Sequence, residues 1–302
     1  MAQITAALVK ELRDKSGAGM MDAKKALVES DGDMEAAVDW LRAKGLSKAA
    51  KKSGRTAADG LVAAIVSKDG KTGALVELNA ETDFVARNEG FQSALKAFAL
   101  KALETDGSVD ALKAAPAAEG DGTVEDEVKR MVATIGENIA LRRTAKLEAA
   151  GAVAAYIHNV EAEGMGKVGV LVGLNGKGGD LADLGRKIAM HVAATMPAAA
   201  TVDELDQDLV QRERDVLTEE ARASGKPDNV IEKMIEGRMK KFYKEVVLVE
   251  QPFVMDPDNT VAKVLANANA ELVGFERFAL GEGIEKKEED FAAEVAAVSK
   301  KD

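Results

Sequence analysis

Residues 73–79 read Gly73-Ala74-Leu75-Val76-Glu77-Leu78-Asn79 and residues 169–175 read Gly169-Val170-Leu171-Val172-Gly173-Leu174-Asn175, identical at five of seven positions. Both stretches carry the aliphatic, β-branched character of a buried strand. Each follows another β-rich run across a turn: 61–66 before Lys68-Asp69-Gly70-Lys71, and 153–160 before a Gly-rich turn. That order predicts two β-hairpins. A helix follows each hairpin, with Phe91, Ala94, Leu95, Phe98 and Ala102 on one face in the first copy and Leu184, Ile188, His191, Val192 and Thr195 in the second. Each copy then closes with a further helix and strand. Thr123 caps a helix bearing Val124, Val128, Val132, Ile135 and Ile139 before a strand near 140–147, and Thr260 caps 261–269 before a strand at 271–280. The fold class is therefore α+β and multi-domain, built on a duplicated core of antiparallel sheets with helices.

Two helices interrupt the second copy, at 205–223 and 229–242, joined by Ser224-Gly225-Lys226-Pro227. Leu209, Val216 and Leu217 are expected to face Ile231, Met234, Ile235 and Met239 in an antiparallel hairpin of coiled-coil character. At 1.5 Å per residue the first helix is roughly 28 Å long. Packing on the core and service as a docking or dimerising arm both remain open. Ahead of the core, apolar positions 4, 8 and 12, the break at Ser16-Gly17-Ala18-Gly19, a helix from Met21 through Leu27, the turn Asp31-Gly32-Asp33, and the stripe Met34, Ala37, Val38 and Leu41 give three short helices. The third is expected to stop at Gly45. This is a ubiquitin-associated-like module, followed by a solvated linker with Lys48, Lys51, Lys52 and Arg55. The chain thus divides into 1–55, module and linker; 56–150, core subdomain N; 151–281, core subdomain C with the hairpin inserted at about 203–245; and 282–302, a C-terminal helical module.

A chain of 302 residues with a net charge of −11 suits several modules and argues against a nucleic-acid surface, which needs clustered Lys and Arg. Cysteine is absent, which removes disulfides, thiolate nucleophiles and Cys-based zinc sites. Neither a basic leader nor an apolar run of about 18 residues occurs, so the expectation is a cytoplasmic protein without membrane attachment.

Aromatics make up 4% of the residues, so an aromatic in a loop is informative. From Asn79 to Phe91 is twelve steps, against nine from Asn175 to Leu184; the excess of three falls in the segment beginning Glu81-Thr82-Asp83-Phe84-Val85. Turn positions favour Gly, Asn, Asp and Ser, and Phe84 between charges is neither a turn former nor an ordinary solvent residue. It either folds back on its own core or serves recognition, with Thr82, Asp83, Phe84 and Val85 as an exposed wedge. An inserted Phe supplies about 1.5 to 3 kcal/mol, ten- to hundredfold in an equilibrium. Such a wedge needs a wider contact around it. Met20-Met21, at a loop-to-helix junction, reads as core packing or as an adaptable binding surface. Phe291, Val295 and Val298 form a narrow stripe on the tail, docking on the chain's own core or on a partner.

Catalytic motifs fail on context. Gly164-Met165-Gly166-Lys167-Val168-Gly169 matches GxGxxG inside a hairpin, where no helix N-terminus awaits a phosphate, and no P-loop occurs. His158 and His191 have no companions at metal-ligand or triad spacing. His191 stands where the first copy has Phe98 and reads as a satisfied core residue; His158 lies on a strand near a turn. The acidic run 285–290 reads as a solvated helix start. No catalytic residue, cofactor or metal is expected, and the chemistry left is binding.

Six motifs in order, Ser16-Gly17-Ala18-Gly19-Met20-Met21-Asp22-Ala23-Lys24-Lys25-Ala26, Thr82-Asp83-Phe84-Val85-Ala86, Ile135-Gly136-Glu137-Asn138-Ile139, Met190-His191-Val192-Ala193-Ala194, Glu236-Gly237-Arg238-Met239-Lys240 and Gln251-Pro252-Phe253-Val254-Met255, give the chain a close resemblance to translation elongation factor Ts over nearly its whole length. The resemblance implies a guanine-nucleotide exchange factor for elongation factor Tu, GDP-bound and nucleotide-free, with the Asp83-Phe84 loop disturbing the Mg²⁺ site. It further implies partner contacts at Met20, Met21, Lys24, Ile135, Gly136, His158, Val254, Met255 and the Phe291 tail. A helical hairpin used for partner contact, and a possible homodimer through that hairpin or the core, follow from the same resemblance.

Overall fold

The computed structural model describes residues 4–118, 122–223 and 225–285. Helices α1 (Ala6–Ser16), α2 (Met20–Glu29) and α3 (Met34–Lys52) come first. The side chains of Thr5 and Asp33 accept the Leu8 and Ala36 amides at the starts of α1 and α3, and Gly17 ends α1 in the left-handed region. Val9, Leu12, Ala23, Ala26, Leu27 and Ala37 close a small core between them.

The first copy runs β1 (Asp59–Val66), β2 (Thr72–Ala80), α4 (Asp83–Ala86), α5 (Glu89–Ala102), α6 (Val109–Ala114), α7 (Val124–Ile135) and β3 (Ile139–Glu148). The second runs β4 (Ala152–Ala162), β5 (Met165–Gly176), α8 (Leu181–Thr195), α9 (Gln207–Ala223), α10 (Asp228–Val246), β6 (Pro252–Phe253), β7 (Asp256–Thr260), α11 (Val261–Asn267) and β8 (Ala270–Ala279). In each copy the repeated strand is central: β2 pairs antiparallel with β1 and β3, and β5 with β4 and β8. Both ladders shift register at the equivalent place, Glu77/Leu78 in one and Gly173/Leu174 in the other. The copies join where Val62 and Ala63 of β1 meet Gly166 and Met165 of β5.

The glycines that open the two repeated stretches have a structural reason. A Cβ on Gly73 would lie 2.9 Å from Leu171, and one on Gly169 would lie 3.0 Å from Leu75. Each copy's leucine occupies the space left by the other copy's glycine, and Val62, Leu75, Val153, Leu171 and Phe278 are buried together there. The motif's larger difference in size, Glu77 against Gly173, makes a second tie. Glu77 is fully buried. Its Oε1 accepts the Gly281 amide at 2.9 Å and Asn79 Nδ2 at 3.0 Å and pairs with Arg142 at 3.0 Å, while Oε2 bonds Arg143 Nε. Burial opposes its ionisation, but the Gly281 amide, Arg143 and Asn79 together hold its pKa below the ordinary 4.5.

Several sequence expectations are corrected. Helix α3 does not stop at Gly45 but continues to Lys52, because Gly45 is a crossing point: a Cβ there would lie 3.1 Å from Ala133 Cβ on α7. The basic residues read as linker therefore include the last turn of α3. In the inserted hairpin, α9 begins at Gln207 and α10 extends to Val246; Val216 faces solvent and Ala221 is the buried residue of α9. Short α6 and the β6–β7 pair are additions. The Phe291 tail, with Val295 and Val298, lies outside the described residues.

Candidate functional site

The residues between β2 and α5 form the turn α4, pinned at both ends. At its start Glu137, just after α7, accepts the Thr82 amide at 3.0 Å and the Thr82 hydroxyl at 2.7 Å. Glu81 returns the contact by accepting the Asn138 amide at 2.5 Å, and Asn138 Nδ2 donates to the Arg55 carbonyl at 2.7 Å. At its end Asn88 caps α5 by accepting the Phe91 amide at 3.1 Å, and Gln92 donates to the Ala86 carbonyl at 2.9 Å. Between these pins Val85 (6% exposed) and Ala86 enter the first copy's core, while Phe84 is 75% exposed. The expected four-residue exposed wedge is thus corrected at two positions, since Val85 is the anchor beneath it and Thr82 is half-buried against Glu137. Asp83 lies at the surface and pairs with Arg87 at 3.4 Å.

Other sequence candidates gather beside this turn. Gly136 ends α7 in the left-handed region, where its carbonyl accepts Lys52 Nζ, and Ile135 packs partly against the core. The turn that leads into α2 approaches the last turn of α7, where a Cβ on Gly17 would lie 4.0 Å from the Thr134 hydroxyl. From that turn Met20 and Met21 extend outward, Met21 at 75% exposure, with Lys24 also exposed one turn on. The core-packing reading of the methionine pair is therefore excluded. Glu137 and Asn138 carry the geometry of this region, although sequence reasoning selected only Ile135 and Gly136. The available signal was two polar residues in the short link between a helix and a buried strand.

The second copy contributes two further candidates on separate elements. His158 is exposed on β4, with the Tyr156 hydroxyl 3.1 Å from its Nδ1. Val254 and Met255, 53% and 46% exposed, form the tip between β6 and β7. Beneath that tip His191 is buried, its Nε2 2.8 Å from Gln251 Oε1 and its Nδ1 accepting the Val254 amide at 3.1 Å. Burial lowers its pKa from 6.5, with the Gln251 bond opposing. This agrees with the satisfied core histidine expected. Gly164 to Gly169 occupies the β4–β5 turn and the start of β5. Among the described residues no group of three or more His, Asp or Glu could hold a metal ion, and no helix is long and apolar enough to cross a membrane.

The sequence profile described as Elongation factor TS matches residues 81–282. A protein of Hyphomonas neptunium named Elongation factor Ts is 67% identical over 300 residues, covering 99% of this chain and 99% of the relative. One of the same name from Maricaulis maris is 60% identical over 312 residues with 99% of each covered, and one from Gluconobacter oxydans is 58% identical over 302 residues with the same coverage. With Thr82 held by Glu137 in the link between α7 and β3, and this identity from end to end, the chain belongs to the elongation factor Ts family.

Proposed function

We propose that this protein is a guanine-nucleotide exchange factor for elongation factor Tu, acting by protein–protein binding without covalent chemistry. The observation that carries this reading is Phe84: a large apolar side chain, 75% exposed, on a turn fixed from both sides. A residue held out into water by bonds that restrict its backbone is preorganised for a partner's surface. In the proposed mechanism Asp83 and Phe84 enter the GTPase domain beside the Mg²⁺ site of the GDP complex. Insertion there favours the nucleotide-free state, and by linkage a partner that binds that state more tightly weakens GDP to the same degree. GTP then enters.

A wedge of this size cannot hold the complex alone, so the contact extends over Met20, Met21, Lys24, Ile135, Gly136, His158, Val254, Met255 and the Phe291 tail. Helices α1 to α3 act as a ubiquitin-associated-like docking module. The α9–α10 hairpin acts as a coiled-coil arm for the partner or for self-association. The work belongs to the cytoplasm and requires no cofactor of its own. The test is release of fluorescent GDP from elongation factor Tu with and without this protein. Acceleration is expected at substoichiometric amounts, and an unchanged rate refutes the proposal.

A further inference from the structure

His191 of α8 stands where the first copy has Phe98 on α5, each on the helix face that covers its sheet. Phe98 is fully buried and His191 is buried to the same depth. The sister copy therefore demonstrates that a purely apolar ring suits this position, so packing does not explain the histidine.

The ring is instead one link in a chain of directed bonds. Gln251 Nε2 donates to the Glu245 carbonyl at 2.8 Å, near the end of α10. That orientation turns Gln251 Oε1 toward His191, where it can accept but not donate, and the proton must sit on His191 Nε2 at 2.8 Å. His191 Nδ1 is then bare and accepts the Val254 amide at 3.1 Å. Phe253, its ring 5.7 Å from the imidazole, is buried beneath the same tip. Val254 and Met255 thus expose their side chains from a backbone fixed by His191 on one side and by Phe253 below.

We infer that His191 is a positioning residue for the Val254–Met255 tip, setting those two exposed side chains relative to the base of α10 and so controlling affinity for the partner without touching it. The inference rests on the proposed role of Val254 and Met255 as contacts. It assigns affinity to this link, whereas the Phe84 turn governs the rate of release within the complex.

Two substitutions separate positioning from packing. His191→Phe copies the sister helix and keeps the core filled, but leaves the Val254 amide without its acceptor. His191→Asn packs less well, yet places Oδ1 near the former Nδ1, where it can still accept that amide. In the full-length free protein, hydrogen exchange at the Val254 amide should quicken about tenfold or more with Phe and much less with Asn. In GDP release from elongation factor Tu, His191→Phe should raise the half-saturating concentration about five- to tenfold and leave the rate at saturation unchanged. His191→Asn should lie between it and the unmodified protein, whereas a packing role gives the reverse order. Unchanged Val254 exchange in the Phe variant, an unchanged half-saturating concentration, or an Asn variant worse than Phe overturns the inference. Failure of the unmodified protein to accelerate GDP release would defeat the proposed function, and Val254 exchange would then decide the positioning link by itself.

Discussion

Phe84 and Glu137 divide the labour of one turn, the first presenting a surface and the second fixing where it stands. Phe84→Ala removes an exposed ring, so the melting temperature should hardly move, while GDP release should slow about tenfold or more if the ring's burial energy is used in the complex. A core Phe truncated in the same way would cost about 3 to 5 kcal/mol, so a large melting shift would show that Phe84 belongs to the chain's own core. Glu137→Ala leaves Phe84 in place but frees the Thr82 amide and hydroxyl. Release should slow about five- to tenfold through a looser turn, with Glu137→Gln, which keeps one acceptor, falling between. Equal rates for all three would detach the clamp from function. His191 adds a pH dependence of stability. Its pKa is lowered by burial below 6.5, so its contribution is complete above that value and is lost as pH falls through the folded-state pKa. The melting temperature should therefore drop on acidification below about pH 6.5 in the unmodified protein and drop less in His191→Phe. Parallel curves would contradict the neutral buried imidazole.

Among the elements, the crossing of α3 over α7 is the least forgiving. With Gly45 facing Ala133, a Cβ 3.1 Å away leaves no room for a larger group. Gly45→Val should separate the helices and cost about 1 to 3 kcal/mol by overpacking, read as a lower midpoint in urea; an unchanged midpoint would mean the crossing is loose. The same glycine shows where sequence reading stopped. A glycine after a periodic stripe has the same letters whether it ends a helix or lets another helix approach, and only the partner, Ala133, distinguishes them. The strands and core helices were legible because their patterns are local: short aliphatic runs in β2 and β5, and the stripes of Phe91 to Ala102 and Leu184 to Thr195. Val216 was misassigned because it adjoins Leu217, and neighbouring apolar letters do not say which of the two faces inward. At the site, the extra residues between β2 and α5 exposed the Phe84 turn, since a repeat supplies its own reference. Val85 beneath it was not separable from Phe84, because adjacent apolar letters do not say which one points inward. Glu137 stood out only as a polar residue in a short link, and neither its partner nor the Gln251 link to His191 could be read, those partners lying 55 and 60 residues away along the chain.

Across the whole molecule the two copies are locked to each other more firmly than the three-helix module is to either. Leu75 and Leu171 fill each other's glycine gaps, and Glu77 binds the Gly281 amide beyond the end of β8. The module has a core of its own and meets the rest mainly through the second half of α3. These contacts predict two units of cooperativity instead of three. Trp40, the single tryptophan, lies in the module and stacks under Lys44 at 4.8 Å, so its fluorescence follows that unit, while far-UV circular dichroism follows the whole chain. Leu75→Ala and Leu171→Ala should each destabilise the joined copies by about 2 to 5 kcal/mol, and the double variant should depart from the sum because both side chains face one shared interior. In each, the dichroism midpoint should fall more than the Trp40 midpoint. Gly45→Val should widen the gap from the other side, by lowering the Trp40 midpoint first. If both signals move together in every variant, the module and the core are one cooperative unit. If either leucine variant splits the dichroism change into two steps, the copies fold independently, and the reciprocal glycines serve fit without coupling.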